Sequence, residues 1–221
     1  MLDTGSLVRS VELDLQEHPD YPAWTDEHFS EMLRAAMDQL ALVRPEAFQR
    51  IASVALQRGV THHIPEDGVR LMEVTANVDQ GLPGEAITRV DGATLARFDP
   101  AWRSRPEADQ VDHYLWDERQ PRVFHTVPAV RSGTRVQIVY IQQPPAFEVG
   151  EYPTLEQMPS HYREPLRHWM LYRAWLKDTR PGIEQKAQAH YEWFYHALGE
   201  KVPTSQRVDP RTQEPHQRAQ S

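Results

Sequence analysis

Histidines and carboxylates are the residues of this chain that could carry out chemistry, because it contains 11 histidines, 32 acidic residues and no cysteine. His62 and His63 are adjacent, so on a strand their side chains point to opposite faces and cannot share a metal ion. Two further pairs are too far apart, or on different helix faces, to hold one ion: His161 with His168, and His190 with His196. No HExxH motif occurs, and the lack of cysteine excludes disulfides, thiolate zinc sites and cysteine nucleophiles. We therefore predict no metal site.

The motifs of nucleotide-binding and hydrolytic enzymes are also missing from the sequence. It contains no Walker A loop, no GxGxxG and no GxSxG. Carboxylates stand close together at Asp117-Glu118 and at Glu148 and Glu151, but nothing in their pattern marks a catalytic pair. We predict neither enzymatic activity nor a cofactor.

Charge and hydropathy restrict the partners of the chain. The formal net charge of -8 creates a field that repels nucleic acid. No apolar run approaches the roughly 20 residues that a membrane span requires. Acidic residues occupy the first segment, MLDTGSLVRSVELDL, where a secretory signal has a basic and then an apolar stretch. These features predict a soluble intracellular product.

Two helices, over residues 161–178 and 183–198, are predicted near the C-terminus, with a turn at 179–182 between them. The second helix has one apolar face, followed by Gly199 as a C-cap; the face is formed by Ile183, Ala187, Tyr191, Phe194, Tyr195 and Leu198. The first helix is apolar over more of its circumference than one partner helix covers. Core packing accounts for much of the aromatic set, but Trp169, Tyr172 and Trp193 lie off the predicted shared face. We predict that these three contact another subunit.

The N-terminal part predicts two more helices and the central part predicts strands. The first helix has an apolar stripe of Leu7, Val8, Val11 and Leu15. The second begins after Thr25, a good N-cap, and ends at Arg44-Pro45. Between 48 and 142 the period changes to that of strands, most clearly at 69–78 and 134–142. A short strand at 87–90 ends at Asp91-Gly92, which predicts a hairpin turn.

This order of elements predicts an α+β fold. Helices from both chain ends form a helical domain (1–46 and 155–199), and an antiparallel β-domain (47–154) is inserted between them. An extended C-terminal tail (200–221) follows, because this segment lacks aromatic residues and has too little apolar surface to fold alone. Its arginines Arg207, Arg211 and Arg218 offer planar donors for carboxylates. Residues 93–112 form a long polar loop that Phe98 and Trp102 anchor, and loops of this length often bind a partner.

Several stretches between residues 24 and 199 carry, in their order, a resemblance to a known family. They are Trp24-Thr25-Asp26-Glu27, Val43-Arg44-Pro45, Arg58-Gly59-Val60-Thr61, Ile64-Pro65-Glu66-Asp67-Gly68, Trp116-Asp117-Glu118-Arg119-Gln120-Pro121 with Phe124-His125, Gly133-Thr134 with Tyr140 and Pro144-Pro145, Met158-Pro159, Ala174-Trp175-Leu176-Lys177-Asp178, and Ala189-His190-Tyr191 with Phe194. With these stretches the chain resembles the head-to-tail adaptor (neck or connector) proteins of short-tailed bacteriophages.

The resemblance implies a structural virion protein in the neck between capsid and tail, made in the host cytoplasm. Such adaptors form a ring, commonly dodecameric, whose helical domain docks on the portal protein. The β-domain then faces the tail tube or nozzle protein, with Phe98 and Trp102 in the tail-facing loop. The genomic DNA passes through the lumen without sequence-specific binding. Portal contacts would come from the C-terminal tail, through Val202, Arg207, Val208, Arg211 and Arg218.

Two alternatives remain open at this point. The first is a monomeric β-sandwich binding module with helical flanks, which predicts an aromatic platform on a strand face and a monomer mass. The second is an enzyme built on histidines and carboxylates, which predicts a histidine of perturbed pKa in a pocket.

Overall fold

The computed structural model of the chain describes residues 1–16, 24–177 and 182–203. The helices in this part are α1 (Thr4–Gln16), α2 (Asp26–Val43), α3 (Gly92–Phe98), α4 (Arg163–Trp175) and α5 (Ile183–Ala197). The strands are β1 (Leu2–Asp3), β2 (Gln49–Ala55), β3 (Gly59–His63), β4 (Gly68–Asp79), β5 (Leu82–Ala86), β6 (Thr88–Arg89), β7 (His113–Trp116), β8 (Val123–Val130), β9 (Arg135–Gln142) and β10 (Thr154–Leu155). The predicted α+β fold is confirmed. Most of the predicted turn at 179–182 lies outside the described residues, as does the C-terminal tail from 204 onward.

Eight strands form two four-stranded sheets. The strand orders are β2-β9-β4-β5 and β3-β8-β7-β6, and β1 pairs with β10 in a small separate sheet. All pairs in the two larger sheets are antiparallel except β6 with β7, which run parallel. Leu71 and Ile138 from the first sheet and Phe124 from the second belong to one buried cluster. The two sheets therefore pack face to face, as alternating strands predict.

Helices from both ends of the chain share a second buried cluster. Leu7 of α1, Leu33 of α2, Leu166 of α4 and Phe194 of α5 have no exposed surface and belong to it. The predicted helices that correspond to α2, α4 and α5 therefore pack together, which confirms this prediction. Phe48, before the first long strand, joins the same cluster. The division into domains stays a prediction.

Local signals account for the start and end of α2. The backbone N–H of His28 donates to the Thr25 hydroxyl, and Asp26 and Glu27 lie in the first turn, where carboxylates complement the helix dipole. The helix ends at Val43, before a 3-10 turn that begins at Pro45. Proline removes a backbone donor and so favours this end. No described helix is long and apolar enough to cross a membrane.

The predicted hairpin turn at Asp91-Gly92 is wrong. Asp91 is instead the N-cap of α3, and its carboxylate accepts a hydrogen bond of 2.8 Å from the backbone N–H of Thr94. A carboxylate at this position satisfies a free helix donor, which the turn signal did not take into account. The predicted loop at 93–112 accordingly contains α3 and a 3-10 turn over Trp102–Ser104.

Candidate interaction surfaces

A stack of aromatic rings joins α4 to α5. The ring centroid of Trp169 lies 4.8 Å from that of Phe194, and Tyr172 lies 5.2 Å from Tyr191. Trp169 and Tyr172 are partly buried against the helical core. The prediction that these two residues lie off the shared face is wrong, because a large ring at the flank of α4 reaches across to α5. Their contact with another subunit stays a prediction.

Trp193 has a different environment from the other two aromatic residues. Its side chain is 59% exposed, and its ring stacks on that of His168 with 6.1 Å between centroids and 20° between planes. The ring of His196 approaches its edge at 6.3 Å. An exposed tryptophan held in one orientation by its neighbours is the kind of residue that dominates protein interfaces.

Beside Trp193 lies a histidine pair that the sequence analysis did not find. The Nδ1 atoms of His168 on α4 and His190 on α5 are 3.0 Å apart. The sequence contained a signal for this pair, because His168 and His190 are the same number of residues away from position 179, where the predicted turn begins. Antiparallel helices joined by a short turn bring such positions together.

The electrostatics of this pair favour the neutral form of both rings. Burial, followed by repulsion from His168, lowers the pKa of His190 to about 4. Burial also lowers the pKa of His168. At neutral pH one imidazole N–H therefore donates to the other ring. Among the described residues no group of three or more His, Cys, Asp or Glu could hold a metal ion.

The start of the C-terminal tail is fastened to the end of α2. The Arg44 guanidinium donates to the carbonyl of Leu198 at 2.7 Å and pairs with the Glu200 carboxylate at 2.7 Å. Val202 is half-buried against the helical core. The chain thus leaves the helices from a fixed point. The remaining predicted portal contacts, Arg207, Val208, Arg211 and Arg218, lie outside the described residues.

Phe98 and Trp102 have opposite environments in the strand part of the molecule. Trp102 is 2% exposed and packs in a small cluster with Leu115 and Val127. Phe98 is 86% exposed and ends α3, a helix with no buried residue. Trp102 is therefore an anchor of this segment, as predicted, whereas the tail-facing orientation of the segment stays a prediction. Phe98 is not an anchor and is open to a partner.

A cleft between the start of α3 and the β7–β8 connection contains His125, a further histidine whose pKa is lowered. His125 lines this cleft together with Trp116 and Arg89. Its Nδ1 lies 3.0 Å from the Thr61 hydroxyl, and burial, followed by repulsion from Arg103, lowers its pKa. Among the described residues, no hydrogen bond or ion pair links His125 to a carboxylate. The Arg89 guanidinium lies 5.1 Å above the Trp116 ring, which covers the aromatic face that a binding module would use.

The described residues form an α+β protein that exposes the aromatic rings of Trp193 and Phe98. The family model of the SU10 adaptor protein matches residues 3–219, so the chain belongs to the SU10 adaptor protein family. It is an adaptor protein of bacteriophages and a structural component of the virion. A comparison with curated proteins finds no match.

Proposed function

We propose that this chain is the subunit of a head-to-tail adaptor ring that docks on the portal, connects it to the tail and encloses a channel for DNA. The observation that carries the proposal is the family match over residues 3–219, together with the predicted resemblance to neck proteins of short-tailed phages. A dodecameric ring in the neck of the virion is the expected assembly.

The helical part supplies the portal-facing surface in this proposal. Support comes from the fastening of the C-terminal segment by Arg44, while Trp193, which is 59% exposed, is available for the contact between subunits. A segment that starts from a fixed point reaches a neighbouring surface at a high effective concentration. Residues 204–221 then lie along the portal, where Arg207, Arg211 and Arg218 meet carboxylates.

The strand part faces the tail tube or nozzle protein in this proposal. Phe98 offers a large apolar ring for that contact, since 86% of its surface is exposed. DNA passes through the lumen without sequence-specific contacts, and the net charge of -8 favours sliding because phosphates are repelled from an acidic surface.

Native mass spectrometry of the full chain, alone and mixed with a candidate portal protein, tests the proposal. A ring of the chain, free or on the portal, is the expected result. A chain that stays monomeric and does not bind the portal at any concentration would contradict the proposal and favour the monomeric β-sandwich binding module.

Deletion of residues 204–221 tests the role of the tail. We expect loss of portal attachment with an unchanged melting temperature, because the deleted segment has too little apolar surface to stabilise the core. A matched variant, R207Q/R211Q/R218Q, keeps the length and removes the charge. If it attaches as the natural chain does, length rather than charge is responsible; if the deletion attaches normally, the tail is not the docking element.

A further inference from the structure

The chain turns away from the end of α5 through a defined hydrogen-bond motif. The N–H of Gly199 donates to the carbonyl of His196 at 3.0 Å, and the N–H of Glu200 donates to the carbonyl of Tyr195 at 2.8 Å. Gly199 has a φ of 70°, a left-handed conformation that glycine adopts without steric cost. This combination is the Schellman motif of helix ends. It sets the direction in which the chain leaves α5.

Arg44 then binds two further groups at this helix end. Its Nη2 atom lies 2.7 Å from the carbonyl oxygen of Leu198 and 2.7 Å from the carboxylate of Glu200. One guanidinium nitrogen of this kind has two hydrogens, so it can donate to both acceptors at once. The Nη1 atom faces the Glu46 carboxylate at 3.7 Å. Because Arg44 directly follows α2, its guanidinium joins the end of α2 to the first residues after α5.

These bonds hold the residues that lead into the C-terminal tail. In many Schellman motifs an apolar side chain at the position of Glu200 packs back on the helix; here that position forms an ion pair with Arg44 instead. The two side chains are 31% and 39% exposed, so the ion pair alone adds little stability in water. The bond to the Leu198 carbonyl and the half-buried Val202 add to it.

The place of this attachment determines where the tail starts. The helices α2 and α5 both end here, and β2 begins at Gln49, so the tail starts beside the border between the helical and strand parts. An extended chain over residues 204–221 spans at most about 60 Å. That reach covers several surfaces around the subunit. The direction of the first residues, more than the length of the tail, therefore selects the surface that the tail meets.

We infer that Arg44 is a positioning residue of the C-terminal tail. It does not touch the partner; it holds residues 198–203 so that residues 204–221 start in the direction of the portal. This inference rests on the proposed docking of the tail and names the residue that directs it. It also predicts that a substitution outside the tail impairs attachment through the tail.

A spin label next to the attachment measures the effect without any partner. The natural chain has no cysteine, so Lys201→Cys provides a single labelling site in the full-length protein. We expect a restricted label in the natural background and a mobile one with Arg44→Gln. Arg34→Gln is the matched control and should leave the spectrum unchanged, because Arg34 also lies on α2 and donates to a carbonyl, that of Phe147, at 2.7 Å. An unchanged spectrum with Arg44→Gln would overturn the inference.

Binding to a candidate portal protein measures the consequence. Arg44→Gln should weaken attachment about fivefold, whereas Glu200→Gln, which keeps the carbonyl bond, should weaken it about twofold. Arg44→Lys keeps a charged donor and should restore part of the loss. Arg34→Gln should attach as the natural chain does.

An insertion separates direction from length. Six Gly and Ser residues after Pro203 keep the Arg44 bonds and lengthen the tail from 18 residues (204–221) to 24. The dependence of effective concentration on length predicts a loss of only about 1.5-fold. An insertion that weakens attachment as much as Arg44→Gln does would show that length is responsible and would overturn the positioning role.

The outcomes separate this inference from the proposed function. If deletion of residues 204–221 leaves attachment intact, the proposed role of the tail fails and the inference fails with it. If the deletion abolishes attachment but Arg44→Gln attaches as Arg34→Gln does, only the positioning role is overturned. Circular dichroism verifies folding. Should Arg44→Gln unfold, Glu200→Gln decides, and a restricted label with undiminished attachment in that variant would overturn the inference.

Discussion

The helical and strand parts of this adaptor offer partners two different kinds of surface. Helices satisfy their backbone hydrogen bonds internally, so the helical part can contact a partner only through side chains such as Trp193, which is 59% exposed. A sheet leaves backbone groups at its edges, and here β2 and β5 carry them. The comparison teaches that the helical part offers a partner side chains alone, whereas the strand part offers the backbone groups of its edge strands as well as side chains such as Phe98.

Two neighbouring rings on α5 give the largest expected contrast. Phe194 has no exposed surface, whereas Trp193 is 59% exposed. Phe194→Ala should lower the free energy of unfolding by about 3–5 kcal/mol, because it removes core contacts and leaves a cavity. Trp193→Ala should change stability by less than about 1 kcal/mol and weaken assembly instead. Urea unfolding and native mass measure the two effects; equal losses of stability would show that Trp193 is a core residue.

In the strand part, Asn77 should give the next largest effect. Its buried side chain donates to the carbonyl of Val111 and accepts from the N–H of Val111, both at 2.8 Å. Asn77→Ala leaves two buried backbone groups without partners, so unfolding should become easier by about 1–3 kcal/mol. Glu85→Ala, on the exposed strand β5, is the control for stability and should have almost no effect. A neutral result at Asn77 would mean that water replaces the amide.

Acid should destabilise both parts, through one histidine in each. Burial lowers the pKa of His190 in the helical part and of His62 in the strand part to about 4 from the ordinary 6.5. The unfolded chain therefore binds more protons between these values, and stability falls as pH drops from 6.5 to about 4. His62, which is 3% exposed, contributes up to about 3 kcal/mol, and solvent screening reduces the contribution of the partly exposed His190 to about 1–2 kcal/mol.

Single replacements assign this acid sensitivity to its source. His190→Gln and His62→Gln should each flatten the decline of stability over that window, measured by urea unfolding at a series of pH values. If both curves stay parallel to that of the natural chain, other groups cause the acid sensitivity. His63→Gln, on the exposed side of β3, is the matched control for His62.

The smallest expected effect concerns the start of α2. Thr25→Ala removes the hydroxyl that accepts from the N–H of His28 and should lower the free energy of unfolding by about 1 kcal/mol. Thr25→Ser keeps the hydroxyl and should restore most of the loss. Equal melting temperatures for the two variants would show that the remaining acids of the first turn are sufficient.

The sequence by itself determined the elements whose signals are local. Residue spacing and short-range sterics account for the apolar stripe of α1, the Thr25 cap and the strands β4 and β9. They also account for the end of α5 before Gly199, where φ is 70°. Membership of a bacteriophage adaptor family was also recognisable, because the resemblance depends on the order of short stretches rather than on distant contacts; the head-to-tail place in a short-tailed phage stays a proposal.

Only the tertiary structure decided which side chains are available to a partner. The sequence pattern placed Trp169 and Tyr172 off the face shared with α5, but their rings lie against α5. Trp102 is buried and Phe98 is exposed, although both were predicted to anchor the same loop. The pairing of His168 with His190 and the position of β2 and β5 at the edges of one sheet depend on how separate elements pack. Burial and edge position are properties of contacts between residues far apart in the chain, and periodicity within one segment contains no information about them.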